Sequence, residues 1–212
     1  MIKISPYGES ISDDEMQAIF DKFGANRESI FRRHEMNQVI EYTKGNGIEI
    51  GCGLNKIHTS AIGINKVLTE NDYNYPLGAQ IKGGGDDLHW FGDKVFDYVF
   101  SSHCLEHIVD TRKAIAEWTR VLKIGGFLVM LLPDKRYYPK IGEPNANPDH
   151  KHDFLPSDVK KIIDDLGKCK IIQIDTIHDK LKNDRVAIDE AKKYGHLSLN
   201  FSFEIVAKKI SQ

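Results

Sequence analysis

The sequence has few cysteines, and they are not spaced for cross-linking. Its 212 residues include only Cys52, Cys104 and Cys169, an odd number with no CxxC spacing. Small secreted folds that depend on disulfides carry paired cysteines in larger numbers. We therefore expect a protein of a reducing compartment, with the cytoplasm as its location and without a disulfide framework.

The chain also lacks long apolar runs and a marked excess of either charge. Its longest apolar runs are of strand length, and residues 1–6 contain no apolar segment of the kind found in a secretory signal. The formal net charge is −2, whereas proteins that bind nucleic acids usually carry a strongly basic face. We therefore expect no membrane span and no nucleic-acid partner.

What the sequence does contain is an alternation of short apolar runs and amphipathic segments. The runs that we predict to be strands are 48–50, 61–64, 98–101, 127–132, 170–177 and 197–207. Helices are predicted at 111–122 and from Pro156 to about Gly167, with two more before the first strand, at 12–24 and 26–42. Strands that alternate with helices predict an α/β fold with a doubly wound, parallel sheet.

The first of these strands ends in a glycine turn, in the order Ile48-Glu49-Ile50-Gly51-Cys52-Gly53. Glycines at such a turn let the backbone approach a ligand closely, because no Cβ atom blocks the way. The carboxyl end of the first strand of an α/β sheet is where nucleotide-like cofactors bind. A Gly-x-Gly turn alone is also compatible with a simple loop, so the segments that follow are needed to decide.

Two later segments follow in the sequence, FDYVFSSHCLEH at 96–107 and VLKIGGFLVM at 121–130. Together with GCGLNK at 51–56 and SAIGIN at 60–65, they resemble class I S-adenosylmethionine-dependent methyltransferases, and in particular small bacterial members of that family. Those members read GCGxxK, GAIGID, FDxVxxSHVLEH and RVLKxGGxLxxxxPD in the same order. The resemblance covers roughly residues 47–133.

The resemblance implies a Rossmann-like sheet of seven mostly parallel strands with a C-terminal antiparallel hairpin. It also implies one methyltransferase domain over residues 1–212. Within it we predict an N-terminal helical cap at 1–46, a cofactor-binding half at 47–133 and a substrate-side half at 134–212.

By the same resemblance, the residues expected to bind the cofactor are Glu49, Gly51, Cys52, Gly53, Asn65, Asp86, Leu88 and Ser102. Glu49 corresponds to the acid near the amino-acid end of the cofactor, although a bond to local backbone is an alternative role. Asn65 stands where the family carries an acid that accepts the ribose hydroxyls, and an amide lacks the strength of that charge-assisted bond. Asp86 is assigned to the adenine side, and a capped turn is its alternative.

A cluster of histidines and an acid follows the strand at 98–101. His103, Glu106 and His107 form a His-x-x-Glu-His motif, and family members with Glu-x-x-Glu-His at this place bind a divalent metal. The resemblance therefore implies a metal site at these three residues, and His150 of the long loop at 133–156 could complete it. Imidazole and carboxylate suit Mn, Fe, Co, Ni or Zn better than Mg.

The cluster also has an interpretation without a metal. Glu106 and His107 would then fix the corner after the strand by hydrogen bonds. One of His103, His150 or His152 would act as the catalytic general base, because a neutral imidazole accepts protons near neutral pH.

These observations predict an S-adenosylmethionine-dependent methyltransferase that methylates an oxygen or nitrogen of a small-molecule acceptor. Similar small enzymes accompany glycan or capsule biosynthesis, so the resemblance suggests a sugar or phosphorylated precursor, with Lys135 or Arg136 pairing to its anionic group. One alternative is a non-catalytic protein that binds S-adenosylmethionine or a metal, which the replacement at Asn65 favours. The other is an NAD-dependent oxidoreductase, which the missing third glycine of GxGxxG disfavours.

Overall fold

The computed structural model describes residues 39–53, 56–66, 69–70, 75–76, 79–143, 146–176 and 202–211. The helix predicted at 12–24 and nearly all of the one at 26–42 lie outside these residues. The described end of the second is a short 3-10 turn, Ile40–Tyr42. The division of the chain at residues 46 and 133 stays a prediction.

Nine strands are present in the described residues. In chain order they are β1 (Gly47–Ile50), β2 (Ile62–Asn65), β3 (Thr69–Glu70), β4 (Tyr75–Pro76), β5 (Ile81–Lys82), β6 (Phe96–Ser102), β7 (Leu122–Pro133), β8 (Cys169–Thr176) and β9 (Ser202–Lys209). Seven of them form one sheet in the order β5-β2-β1-β6-β7-β9-β8, while β3 and β4 pair separately.

The sheet is parallel from β5 to β7, and β9 then runs antiparallel to both β7 and β8. This confirms the predicted seven-stranded, mostly parallel sheet with an antiparallel C-terminal pair. The strand order changes direction between β1 and β6, which lie side by side. In open α/β sheets ligands bind at such a switch point, beyond the carboxyl ends of the strands.

Two helices, α1 (Thr111–Val121) and α2 (Pro156–Leu166), confirm the helices predicted at 111–122 and after Pro156. The Asp110 side chain caps α1 by accepting the Lys113 backbone N–H at 2.9 Å, and α2 ends at Gly167, whose φ is 65°. Within the described residues, no helix is long and apolar enough to cross a membrane.

Alternating strand residues divide the core between the two faces of the sheet, as a period of two requires. One face carries residues such as Ile50 and Val99, and α1 and α2 pack on it. The Trp118 side chain of α1 is fully buried there and donates to the Gly85 carbonyl at 2.6 Å. The other face carries Tyr98 and Phe100. Within the part of the chain that the structure describes, residues that come before β2 pack against this face.

A buried lysine joins the last strand to the end of α1. Lys209 is only 3% exposed, and its ammonium group donates to the carbonyls of Thr119, Arg120 and Leu122 at 2.8, 3.2 and 2.8 Å. A cation is favourable at a helix C-terminus, where carbonyl groups lack partners within the helix. Burial lowers the pKa of Lys209 from its usual value.

We expect the substitution Lys209→Met to lower the free energy of unfolding by about 1.5–3 kcal/mol, because three carbonyls lose a charged donor. Urea unfolding followed by circular dichroism measures the change. Lys208→Met is the matched control. Lys208 is exposed on the same strand, with its ammonium group 5.7 Å from the centre of the Phe127 ring, and its substitution should change stability by less than about 1 kcal/mol. Equal effects of the two substitutions would contradict this role of Lys209.

Candidate functional site

The glycine turn after β1 lies at the sheet edge where the parallel strands end. Gly51 has a φ of 71°, and a Cβ atom there would lie 2.5 Å from Cβ and 2.6 Å from Sγ of Cys104. Gly53 has a φ of 55°, but no atom of the described residues lies within 4 Å of its Cβ position. The turn therefore packs tightly at Gly51 and is open at Gly53, which fits the close approach of a cofactor.

The Glu49 carboxylate holds the chain that follows this turn. Its side chain is 1% exposed, and one carboxylate oxygen accepts the backbone N–H of Ile57. The alternative role foreseen for Glu49, a bond to local backbone, is therefore present. Its predicted role toward the amino-acid end of a cofactor stays a prediction.

The other predicted cofactor residues near this edge occupy different environments. Cys52 and Ser102 are buried, at 1% and 8% exposure. Asn65 is partly exposed at the end of β2, and its side-chain oxygen accepts the Lys66 backbone N–H at 3.1 Å. Part of the hydrogen-bonding capacity of the Asn65 amide is therefore used locally, and its predicted role toward the cofactor ribose stays a prediction.

Asp86 and Leu88 follow a run of three glycines. Asp86 pairs with Lys113 of α1 at 3.3 Å, while Leu88 is fully buried in the core. A Cβ atom at Gly83 would lie 2.0 Å from the Trp90 ring, and one at Gly85 would lie 2.8 Å from Ile108. Tight packing against these side chains explains why glycine occupies both positions.

His103 is held in an unusual conformation at the end of β6. Its φ is 49°, in the left-handed region that non-glycine residues rarely adopt. Its Nε2 lies 3.0 Å from Oγ of Ser202, and its Nδ1 lies 3.3 Å from Oε1 of Glu106. Both ring nitrogens are therefore oriented, and the side chain is still 16% exposed.

Glu106 lies at the centre of the histidine cluster. Its side chain is fully buried, and its Oε1 lies 4.0 Å from Nε2 of His107 and 3.9 Å from Nε2 of His150. The segment Leu105–His107, which carries it, is a 3-10 turn. One ligand atom from each of Glu106, His107 and His150 falls within 4.8 Å of the others.

Backbone bonds bring the long loop to this cluster. The Glu106 carbonyl accepts the backbone N–H groups of Lys151 and His152 at 2.8 and 3.2 Å. These bonds place the buried His150 beside Glu106, whereas the His152 ring bonds the Val109 carbonyl at 3.1 Å. Of the three histidines predicted as bases, His103 and His150 therefore approach Glu106 with their side chains, and the His152 ring is directed to another partner.

Two further residues that support the cluster carry no motif in the sequence. Asp149 Oδ2 lies 3.1 Å from Nδ1 of His107. The Asp149 pKa is held below its usual value, mainly by a hydrogen bond from Lys151 and also by His107. Cys104, under the glycine turn, is kept as a thiol, because burial and the nearby Glu106 raise its pKa to about 12.

The basic residues after β7 are paired with acids. Arg136 binds the fully buried Asp134 through Nε at 2.9 Å and Nη2 at 2.6 Å, and Lys135 lies 3.6 Å from Asp158. The side chains of Arg136 and Lys135 remain 44% and 35% exposed. The predicted pairing of either residue with an anionic group stays a prediction.

Comparison with known proteins supports the family resemblance. Residues 48–130 match the family model described as a methyltransferase domain. The chain is 28% identical over 113 residues to phosphoethanolamine N-methyltransferase 2 of Caenorhabditis elegans, a match that covers 53% of this chain and 25% of the relative. This chain therefore matches only about a quarter of that relative's length.

Solved structures share the fold at low sequence identity. A candidate methyltransferase from Bacillus halodurans aligns with a TM-score of 0.59 at 13% identity, covering 84% of this chain and all of that one. An S-adenosylmethionine-dependent methyltransferase from Archaeoglobus fulgidus aligns with a TM-score of 0.55 at 19% identity, covering 91% and 99%. The domain match over residues 48–130 and the shared fold are thus consistent with the family resemblance of the sequence.

We expect Gly53→Ala to weaken binding of S-adenosylmethionine while the protein stays folded. The new methyl group would occupy the open side of the turn, and a left-handed alanine costs only about 1–2 kcal/mol. Calorimetric titration measures the affinity, and thermal unfolding measures the stability. Gly142→Ala is the matched control, since Gly142 also has a positive φ, 87°, and open space at its Cβ position. Unchanged affinity in Gly53→Ala would contradict a cofactor at this turn.

Proposed function

We propose that this chain transfers a methyl group from S-adenosylmethionine to an oxygen or nitrogen of a small, anionic acceptor, such as a sugar or a phosphorylated glycan precursor. One observation carries the proposal. The open glycine turn after β1 and the His103–Glu106 pair after β6 lie at the ends of adjacent parallel strands. A cofactor and a proton acceptor would thus meet at one edge of the sheet.

The residues around the glycine turn would hold and orient the cofactor. S-adenosylmethionine, when bound, supplies a methyl group activated by its sulfonium. The chain contributes a backbone that is open at Gly53, a loop fixed by Glu49 and an amide at Asn65 for the ribose. Such an enzyme accelerates transfer mainly by alignment, because holding two reactants in position removes most of the entropic cost of their meeting.

His103 is the residue we assign as general base. If Nδ1–H points to the buried Glu106, Nε2 carries the lone pair, and in the structure it accepts a hydrogen bond from the Ser202 hydroxyl. An acceptor hydroxyl that hydrogen-bonds to Nε2 would give its proton to Nε2 as its oxygen gains the methyl group, whereas an ammonium acceptor would lose one proton to Nε2 before its nitrogen attacks. In both cases S-adenosylhomocysteine would be the leaving group. The Glu106 carboxylate would then stabilise the imidazolium, as the aspartate does in serine-protease triads.

The anionic acceptor class is supported by the curated relative and by the basic segment after β7. The relative is named for phosphoethanolamine, a small phosphorylated amine. Lys135 and Arg136 follow β7 at the same sheet edge and remain partly exposed. Because guanidinium and ammonium groups bind phosphate and carboxylate strongly, either residue could select such an acceptor.

A non-catalytic protein that binds S-adenosylmethionine is the second candidate, and Asn65 favours it. Its side-chain oxygen already accepts the Lys66 N–H, and an amide holds ribose hydroxyls less strongly than a carboxylate does.

An assay of methyl transfer distinguishes the two candidate functions. The protein is incubated with S-adenosylmethionine and a panel of phosphoethanolamine, sugar phosphates and their unphosphorylated counterparts. Mass spectrometry follows S-adenosylhomocysteine and methylated product.

We expect turnover only with phosphorylated members of the panel. Binding of S-adenosylmethionine without turnover on any member would overturn the proposal in favour of the non-catalytic candidate. Binding of NAD in place of S-adenosylmethionine would instead support the oxidoreductase alternative.

The substitution His103→Asn tests the assigned base. Asparagine tolerates the left-handed conformation, so the backbone after β6 should be preserved. We expect kcat to fall about 10²–10⁴-fold and to lose its rise with pH, while affinity for S-adenosylmethionine stays within twofold of the original. His89→Asn is the control, since His89 is an exposed histidine paired with Asp87. A His103→Asn variant with full activity and an intact pH profile would rule out this base.

A further inference from the structure

The amino edge of the sheet, where the parallel strands begin, lies opposite the candidate site and carries lysines next to exposed aliphatic residues. Three neighbouring strands contribute a lysine followed by a β-branched residue, namely Lys94-Val95 before β6, Lys123-Ile124 near the start of β7 and Lys209-Ile210 at the end of β9. Val95, Ile124 and Ile210 are 41%, 53% and 55% exposed. Single exposed apolar residues are normal, but three on adjacent strand ends mark a surface that contacts another molecule.

Backbone hydrogen bonds fix the segments of the amino edge side by side. The Val95 N–H donates to the Val121 carbonyl at 2.8 Å, and the Ile210 N–H donates to the Lys168 carbonyl at 2.9 Å. Between them, the buried ammonium group of Lys209 binds the carbonyls at the end of α1. The amino edge is therefore one defined surface and not a set of independent loops.

Two backbone irregularities occur at the exposed positions of this surface. The β6–β7 register shifts so that residues 123–126 of β7 stand against Asp97 alone, and such a bulge re-aims the side chains that it carries. Ile124 lies in this bulge. Lys94 has a φ of 60°, in the left-handed region that non-glycine residues rarely adopt and that is enriched at functional sites.

Positive charges are crowded along the same edge. Lys170 and Lys208 are exposed and lie directly opposite each other in the β8–β9 register, where like charges destabilise a sheet. The pKa of Lys209 is lowered mainly by burial and in addition by the charges of Lys94 and Lys168, so these two cations also lie close by. Such crowding is relieved when an anionic surface binds.

Two acids of the amino edge are already paired. Asp93 binds Arg120 at 2.8 Å, and Asp97 binds Lys123 at 2.7 Å. Among the residues that the structure describes, no carboxylate forms an ion pair with Lys94 or with the two opposed lysines of β8 and β9. These three ammonium groups are therefore available to an external anion.

Lysines that alternate with exposed aliphatic residues fit a lipid bilayer with anionic headgroups. Aliphatic side chains enter the boundary between headgroups and acyl chains, while neighbouring ammonium groups bind the lipid phosphates. We propose that the amino edge docks this chain on an anionic membrane surface. Such a contact is peripheral, and it leaves the candidate site at the opposite edge open to water.

Two other partners fit the amino edge less well. Proteins bind single-stranded nucleic acids by stacking the bases on aromatic rings or arginines, whereas Val95, Ile124 and Ile210 are aliphatic. A second copy of the chain in a twofold contact would place the same surface against itself, and the lysines of both copies would then repel each other.

Sedimentation with lipid vesicles tests the proposal directly. The purified protein is mixed with vesicles of phosphatidylcholine, either alone or with added phosphatidylglycerol. We expect binding only to the vesicles that contain phosphatidylglycerol, and we expect high salt to weaken it, because salt screens the attraction between exposed charges. The assay contains neither S-adenosylmethionine nor an acceptor, so its result is independent of the proposed methyl transfer.

Variants locate the contact on the chain. Ile124→Ser should weaken vesicle binding about 10-fold, because an apolar side chain no longer enters the interface. The double variant Lys94→Gln with Lys208→Gln should weaken it about 25-fold, or about fivefold for each lysine. Lys140→Gln with Ile141→Ser is the matched control, since this exposed lysine–isoleucine pair lies in the loop after β7, and binding should stay within twofold. Circular dichroism checks that each variant is folded.

Several results would overturn the proposal. Absence of binding to anionic vesicles at micromolar protein would exclude a membrane contact, and an equal loss of binding in the control variant would place the contact elsewhere on the chain. Binding of a single-stranded RNA oligonucleotide without vesicle binding, measured by fluorescence anisotropy, would assign the amino edge to nucleic acid. A dimer in analytical ultracentrifugation that Ile124→Ser dissociates, again without vesicle binding, would assign it to a second copy of the chain.

Discussion

The burial of the Glu106 carboxylate is the constraint on which the acceptor side of the site depends. Removing a carboxylate from water costs several kcal/mol unless donors or cations surround it, and Glu106 is fully buried. Three histidines from two segments surround it, and its backbone carbonyl holds the loop at Lys151 and His152. One residue therefore organises the corner after β6 and the loop that returns to it.

A close contact joins this corner to the glycine turn. Gly51 lies against Cys104, so a side chain at residue 51 would displace the segment that carries His103 and Glu106. The thiol stays neutral, because burial raises the pKa of Cys104 to about 12, and a neutral thiol packs without the cost of a buried charge. Parallel pairing of β1 with β6 sets the two segments at the same edge. The fold thus couples cofactor and acceptor positions through a few packed atoms.

The sequence predicts six of the seven strands of the sheet, because each of the six contains a short apolar run, and it misses β5, which has only two residues. It misplaces some boundaries, such as the start of β7, where Leu122 pairs with Phe96 and extends the strand beyond the run at 127–132. Such details depend on tertiary pairing that local patterns do not contain.

The candidate site was only partly predictable for the same reason. Glycines and the His-x-x-Glu-His motif are local signals, and they identify Gly51, Gly53 and Glu106. Ser202 bonds His103 across 99 positions of the chain, and no motif marks it. Asp149 is next to His150, but only the folded loop shows that it orients His107. The acceptor side is built from contacts between distant segments, so its residues emerge only in three dimensions.

Calorimetric titration of the purified protein shows whether the turn at Gly51–Gly53 belongs to an S-adenosylmethionine site. We expect micromolar binding of S-adenosylmethionine and of its demethylated product, with no heat from NAD under the same conditions. No binding of either sulfur compound, with or without Mn²⁺, would exclude the site. It would mean that Asn65 and the three glycines before Asp86 do not form a working cofactor site.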